Sequence, residues 1–229
     1  MSRTRVVVAP LGVLLLSMLL FPAVALAQSA PDTLYRTNRS YRLQTDLFSL
    51  YGTHAADIVM LGNSITFGVH WTELMGRTGI VNRGIGGDVT AGFLARIESI
   101  LMLRPKLCCV MGGINDLSQD IPVDTVAARY TQVLERLRAA GITPIIQSTL
   151  FAAPPWTRWT EKNPEVRRLN SLLRLYADSG RVEFLDLNAV LAPAMVLKEE
   201  YTYDGIHLTA AGYRVWRDML DPVLRRHGL

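Results

Sequence analysis

A chain of 229 residues, 49% hydrophobic and 19% charged, is long enough to bury one α/β core and short for two. Its net charge of +4 comes without a clustered basic face, which argues against nucleic-acid binding. Two cysteines are too few for a disulfide scaffold, so the core must supply the stability.

The chain opens on a short basic segment carrying Arg3 and Arg5, followed by an apolar run from Val6 to Ala27. That run closes on Ala25-Leu26-Ala27, a small-residue pattern suited to a signal peptidase. Residues 1–27 therefore read as a signal peptide cleaved before Gln28. The mature chain, residues 28–229, would be one domain exported to the periplasm or the medium. An uncleaved anchor is the competing reading, since about twenty apolar residues just span a bilayer. Pro10, Pro22 and the cleavage pattern favour removal, and no cysteine follows the run to carry a lipid. Removal leaves 22 basic against 20 acidic residues.

Residues 28–55 form a polar lead-in containing Tyr and Arg, with a helix expected around Tyr41–Tyr51. Strands are expected at Asp57–Leu61, Ile80–Arg83, Leu107–Met111, Thr143–Thr149 and Val182–Asp186. Helical patterns separate them at Trp71–Arg77, Ala91–Leu101, Asp124–Ala140 and Glu165–Ala177, and a last helix, Ala210–Arg226, closes the chain. Gly141 stands where a glycine should stop the helix before it. Near-continuous apolar strands alternating with helices indicate a parallel sheet covered on both faces. Cys108 and Cys109 are neighbours within one such strand. Their side chains point to opposite faces, so they read as buried thiols rather than a disulfide.

In sheets of this kind ligands sit beyond the carboxyl ends of the strands. Ser64 follows the first expected strand, Gly87 the second and Asn115 the third, so three motifs fall on one edge. Ser64, in Gly62-Asn63-Ser64-Ile65-Thr66, opens a short helical turn whose N–H groups would face an oxyanion. Taken alone, a serine there is an ordinary helix cap. Thr66 excludes the G-x-S-x-G elbow, and no Gly-Lys-Ser/Thr follows to make a phosphate loop. In Asn82-Arg83-Gly84-Ile85-Gly86-Gly87-Asp88 the glycines fit a tight turn that brings a backbone N–H close to substrate. A dinucleotide fingerprint is not complete there. Asn115, in Gly112-Gly113-Ile114-Asn115-Asp116, offers a side-chain amide donor, or alternatively a turn residue bonding its own backbone. In Asp204-Gly205-Ile206-His207 the spacing lets the carboxylate reach Nδ1, leaving Nε2 to take a serine proton. No second His or Cys has metal-ligand spacing to His207. His54, His70 and His227 read as structural or exposed.

These four blocks, in this order from about Asp57 to Tyr213, resemble those of the SGNH, or GDSL, hydrolase superfamily. The resemblance implies a three-layer α/β/α sandwich of flavodoxin-like type with a five-stranded parallel sheet. It implies Ser64 as nucleophile, His207 as base and Asp204 as the group that orients His207. The oxyanion hole would be the Ser64 and Gly87 N–H groups with the Asn115 side chain, and neither metal nor organic cofactor is called for. Asn63 departs from the family's usual Gly-Asp-Ser, which bears on local order or pH response rather than on catalysis.

The wording of the first two blocks is similar to secreted members that remove O-acetyl groups from sugars. Trp156, Arg158 and Trp159, after the fourth strand, form a possible substrate rim where aromatic faces would stack on a sugar; a loop anchored by packed Trp is the plainer reading. The expected partner is a small-molecule or glycan ester, with no nucleic acid and no lasting membrane anchor. A lysophospholipase, thioesterase or arylesterase with a longer acyl pocket is the alternative, followed by a non-catalytic glycan-binding module.

Overall fold

The computed structural model describes residue 1, residues 33–180 and residues 182–229. Apart from Met1, the expected leader and its cleavage point lie outside the described residues.

Two short helical segments come first, α1 (Leu34–Thr37) and α2 (Arg39–Leu50). Asn38 starts α2, its side chain accepting from the Ser40 and Tyr41 N–H groups. Five strands follow: β1 (Ile58–Gly62), β2 (Ile80–Gly84), β3 (Leu107–Met111), β4 (Thr143–Gln147) and β5 (Glu183–Leu185). All pair in parallel, in the order β2-β1-β3-β4-β5. β1 and β3 are buried along their whole length, as strands covered on both faces must be. Cys108 and Cys109 are unbonded thiols within β3, and burial pushes Cys109 up to about 12.

Between β1 and β2 lie α3 (Ser64–Phe67) and α4 (Trp71–Met75). Between β2 and β3 lie α5 (Thr90–Ala95) and α6 (Glu98–Leu101). After β3 come α7 (Ile114–Ser118) and α8 (Val123–Ala139), and after β4 the long α9 (Trp159–Gly180). The chain ends with α10 (Asn188–Leu191) and α11 (Ala210–Arg226). From β1 the chain steps to β2 and then back across to β3. Right-handed crossovers therefore put α3 and α4 on one face and α5, α8 and α9 on the other. α11 returns to the first face, where the Trp71 and Trp216 rings meet edge to face at 4.8 Å. α5, α8 and α9 pack on one another in series across the second.

Two expected helices differ from what is found. The helix over Ala91–Leu101 is broken at Arg96, whose guanidinium turns inward to Asp88 at 2.8 Å while Ser99 takes its carbonyl at 2.7 Å. The helix expected from Glu165 begins six residues sooner, at Trp159, and runs through Pro164. Its first turn is held from the side: Arg158 and Lys162 bind Asp120, and both also bind Glu161. Such a network compensates for the N–H that proline lacks. Gly141 follows α8 with φ +75°, the left-handed stop expected there.

Candidate active site

A sheet with this strand order has a switch point between β1 and β3, where the connections leave in opposite directions. Ser64 starts the helix after β1, and Asn115 lies in the helix after β3. The two segments flank the crevice.

α3 has only four residues, too few to persist alone. Its start is capped by Asn63, whose Oδ1 accepts the Ile65 N–H at 3.0 Å. Its end is held by other segments. Tyr213 of α11 donates to the Ile65 carbonyl at 2.7 Å, and Trp71 Nε1 to that of Thr66 at 2.9 Å. Asn82 of β2 donates to the carbonyls of Thr66, Phe67 and Val69 at 3.1–3.3 Å. The carbonyls a helix end leaves unsatisfied are thus claimed by side chains fixed in the core. Asn63, which stands where Gly-Asp-Ser would carry an aspartate, thus caps the helix, and its Nδ2 is buried without a partner among the described residues.

His207 reaches the same edge from the loop before α11. Its Nε2 is 2.8 Å from Ser64 Oγ, and its Nδ1 is 2.6 Å from Asp204 Oδ2. The other carboxylate oxygen accepts the N–H groups of Ile206 (2.9 Å) and His207 (2.7 Å). Burial pushes the Asp204 carboxyl up, and these hydrogen bonds, the imidazole first, outweigh it and hold it below its ordinary value. The loop is made by Gly205 at φ +89°, where a Cβ would stand 2.0 Å from the Ala153 carbonyl oxygen. Thr202 completes it, its hydroxyl donating to the His207 carbonyl at 2.8 Å. Tyr203, largely exposed, stacks on the imidazole with ring centres 5.9 Å apart.

Gly87, exposed and at φ +70°, carries its backbone N–H in the turn after β2. Asn115 Nδ2 donates to the Asp88 carbonyl at 2.9 Å, which ties the third block to the second and leaves one amide hydrogen for another acceptor. Beneath them Asp88 and Arg96 make a fully buried ion pair, and Arg96 also donates to the Gly62 carbonyl at 3.1 Å. Asp116 accepts from the Thr90 hydroxyl at 2.6 Å and from the Thr90 N–H at 3.0 Å. Burial outweighs those bonds and raises its carboxyl to about 7.

The rim expectation fares unevenly. Trp156 is half-buried against the core, with its backbone beside the Gly205 turn. Trp159 is half-buried at the start of α9. Arg158 is engaged on all sides, by the Ser118 carbonyl (2.5 Å), Asp120 (2.6 Å) and Glu161 (2.6 Å), so its guanidinium serves the fold rather than an open rim. His54 and His70 are exposed, and His227 lies 3.0 Å from Glu183. Among the described residues no three His, Cys, Asp or Glu side chains gather where a metal ion could be held. Arg96 and Asn38 are participants that lie outside the motifs, and Asn82, inside the second block, has a part that the block did not assign it. Asn38 donates to the Gly86 carbonyl at 2.8 Å from 48 residues upstream.

An all-parallel α/β/α sandwich with a hydroxyl, an imidazole and a carboxylate in line at the switch point defines a serine-type hydrolase of esters. The model of the GDSL-like lipase/acylhydrolase family matches residues 60–215, and the chain belongs to that family. Among curated proteins it is 28% identical to the cattle platelet-activating factor acetylhydrolase IB subunit alpha1 over 169 residues, 69% of this chain and 70% of that one. Among solved structures it is similar to a GDSL-like lipase from Bacteroides thetaiotaomicron, 24% identical with TM-score 0.73, over 82% of this chain and 98% of that one. An acetyl-xylooligosaccharide esterase from Geobacillus shares the fold at 16% identity and TM-score 0.63, over 77% and 97% of the two chains.

Proposed function

We propose that the protein is an exported serine esterase acting on short acyl groups, with O-acetylated glycans as its substrate class. The observation that carries this reading is the unbroken line from Ser64 Oγ to His207 Nε2 and from Nδ1 to Asp204. Asp204 fixes the tautomer, so His207 takes the Ser64 proton as Oγ attacks the carbonyl carbon. The carbonyl oxygen gathers charge as the tetrahedral adduct forms. The Ser64 and Gly87 N–H groups and the second amide hydrogen of Asn115 receive it. His207 then protonates the departing alcohol and Ser64 holds the acyl group. A water, deprotonated by His207, attacks the acyl-enzyme and releases the acid and the serine.

The short-acyl preference rests on the openness of the site. His207 and Asp204 each keep about a third of their side-chain surface exposed, and Tyr203 lies open beside them. Such a surface receives a bulky, polar alcohol more readily than it encloses a long chain. The name of the cattle relative, an acetylhydrolase, points the same way. Export rests on the basic, apolar and small-residue pattern of residues 1–27.

The test is hydrolysis of p-nitrophenyl esters from acetate to palmitate, with Ser64→Ala as control. Turnover greatest on acetate and absent in the control is the expected result. A maximum at long chains would move the substrate class to lipid or thioesters, since each buried CH₂ is worth about 0.8 kcal/mol. Undiminished turnover in Ser64→Ala would overturn the mechanism.

A further inference from the structure

β2 is an open edge of the sheet. Asn82 and Gly84 turn toward α3, where a Cβ on Gly84 would stand 2.3 Å from the Phe67 nitrogen. Arg83, between them, points to the other face, beneath α2. It is 3% exposed. Its Nη1 donates to the Asn82 carbonyl at 3.1 Å, and its Nε is buried with no acceptor among the described residues. Among the described residues no Asp or Glu pairs with it. Burial, and then the neighbouring cation Arg96, lower its affinity for its proton, yet a guanidinium stays charged. Its cover is aromatic: the Phe48 ring lies 4.4 Å from the guanidinium carbon and the Tyr51 ring 5.8 Å. Ring faces offset only part of the cost of a buried, unpaired cation. Arg96, equally buried, is given Asp88. Among the described residues Arg83 has no counter-ion.

Two cavities, of about 640 and 840 Å³, share Phe48, Tyr51 and Arg83 as a wall. The larger runs between α2 and α6 and adds Arg104 and His54, while its single carboxylate, Glu98, is taken by Arg136. Arg104 is exposed, and Met102, 70% exposed, supplies an apolar side. We propose that this groove is an anion site, in which the fork of Arg83 receives a carboxylate or phosphoryl group and Arg104 adds a second positive charge. The rings and Met102 would take the apolar body of an amphiphilic ligand. The site lies on the opposite face of β2 from α3 and does not depend on the acyl-transfer reading.

The experiment is calorimetric titration of the full chain with inorganic phosphate and with monomeric octyl phosphate at constant ionic strength. Saturable one-site binding of at least one probe is expected. Octyl phosphate binding tenfold or more tightly than phosphate identifies an amphiphile as the source, and equal affinity identifies a free anion. Either supports the site. Arg83→Gln should weaken binding at least tenfold. Arg104→Asn, which suits that residue's φ of +47° and removes an exposed charge, should weaken it about threefold with folding intact. Neither probe should compete with p-nitrophenyl acetate. No saturable binding of either probe, affinity unchanged in Arg104→Asn and Arg83→Gln, or competition with the ester would overturn the proposal.

Discussion

Asn115 is half-buried and its side chain donates to the Asp88 carbonyl, so its amide is positioned without being part of the packed core. Asn115→Ala should therefore fold while losing about 10²–10³ in kcat, the usual cost of one oxyanion donor. A thermal melt within a few degrees of the parent and steady-state kinetics check both halves. Its neighbour Asp116 makes a different forecast. Its carboxyl is raised to about 7 by burial, against 3.8 as the ordinary value. Between those values the native state holds a proton that the unfolded chain has released, so stability falls as pH rises from about 4 to about 7. Asn in its place still accepts from Thr90 and cannot ionise. Asp116→Asn should flatten the pH dependence of the urea midpoint across that window, and an unchanged slope would assign it elsewhere. Residues of this kind were legible because each belongs to a short motif. Ser64, Gly87, Asn115, Asp204 and His207 all come to one edge of the sheet. Arg158 was misread for a physical reason: its partners Ser118 and Asp120 lie some forty residues away, so a cation in an aromatic loop looked available.

Between elements, the organising contact is the Asp88–Arg96 pair. It joins the turn after β2 to the break between α5 and α6, and through the Gly62 carbonyl to the end of β1. Helical periodicity over Ala91–Leu101 is regular, and nothing local announces that Arg96 will leave the pattern for a carboxylate eight residues back. A buried pair contributes little net stability, but losing one partner strands the other. Arg96→Ala should cost about 3–5 kcal/mol, with kcat falling because Asp88 also carries the carbonyl that aligns Asn115. The double change of Asp88→Ala with Arg96→Ala should cost clearly less than the two single changes together, as a coupled pair requires. Chemical denaturation of the four proteins decides it; additive losses would show the pair to be independent. α9 teaches the same lesson, since Pro164 marks a boundary locally and the Asp120 network overrides it.

On the scale of the whole molecule, strand order was beyond the reach of periodicity, while the alternation of strands and helices carried the fold class. The order β2-β1-β3-β4-β5 creates the switch point and sets the motifs after β1 and β3 side by side. The same topology gives the lead-in helices a role that their polar composition concealed. Tyr41 donates to the Gly92 carbonyl at 3.3 Å, and Asn38 to that of Gly86 at 2.8 Å, so the segment before the first strand closes over the turn bearing Gly87. A Cβ at Gly87 would lie 3.2 Å from the Asn38 amide, which shows how closely the two segments meet. The turn sits at the surface, closed by the Asp88 N–H donating to the Ile85 carbonyl at 3.2 Å, and Asn38 ties the Gly86 carbonyl to it from outside. Misplacing a reacting group by about 1 Å can cost about 10²-fold in rate. Asn38→Ala removes the clamp and also a helix cap, a loss of about 1 kcal/mol that the fold should survive. Its kcat on p-nitrophenyl acetate should fall about tenfold or more while KM changes little, because the clamp acts on the proposed oxyanion donor and not on the bound ester. Asn38→Asp keeps the cap but cannot donate to the Gly86 carbonyl, so it separates the two roles. A variant as stable as the parent and still impaired would assign the effect to the clamp, whereas full activity would show that the Gly87 turn holds its own geometry.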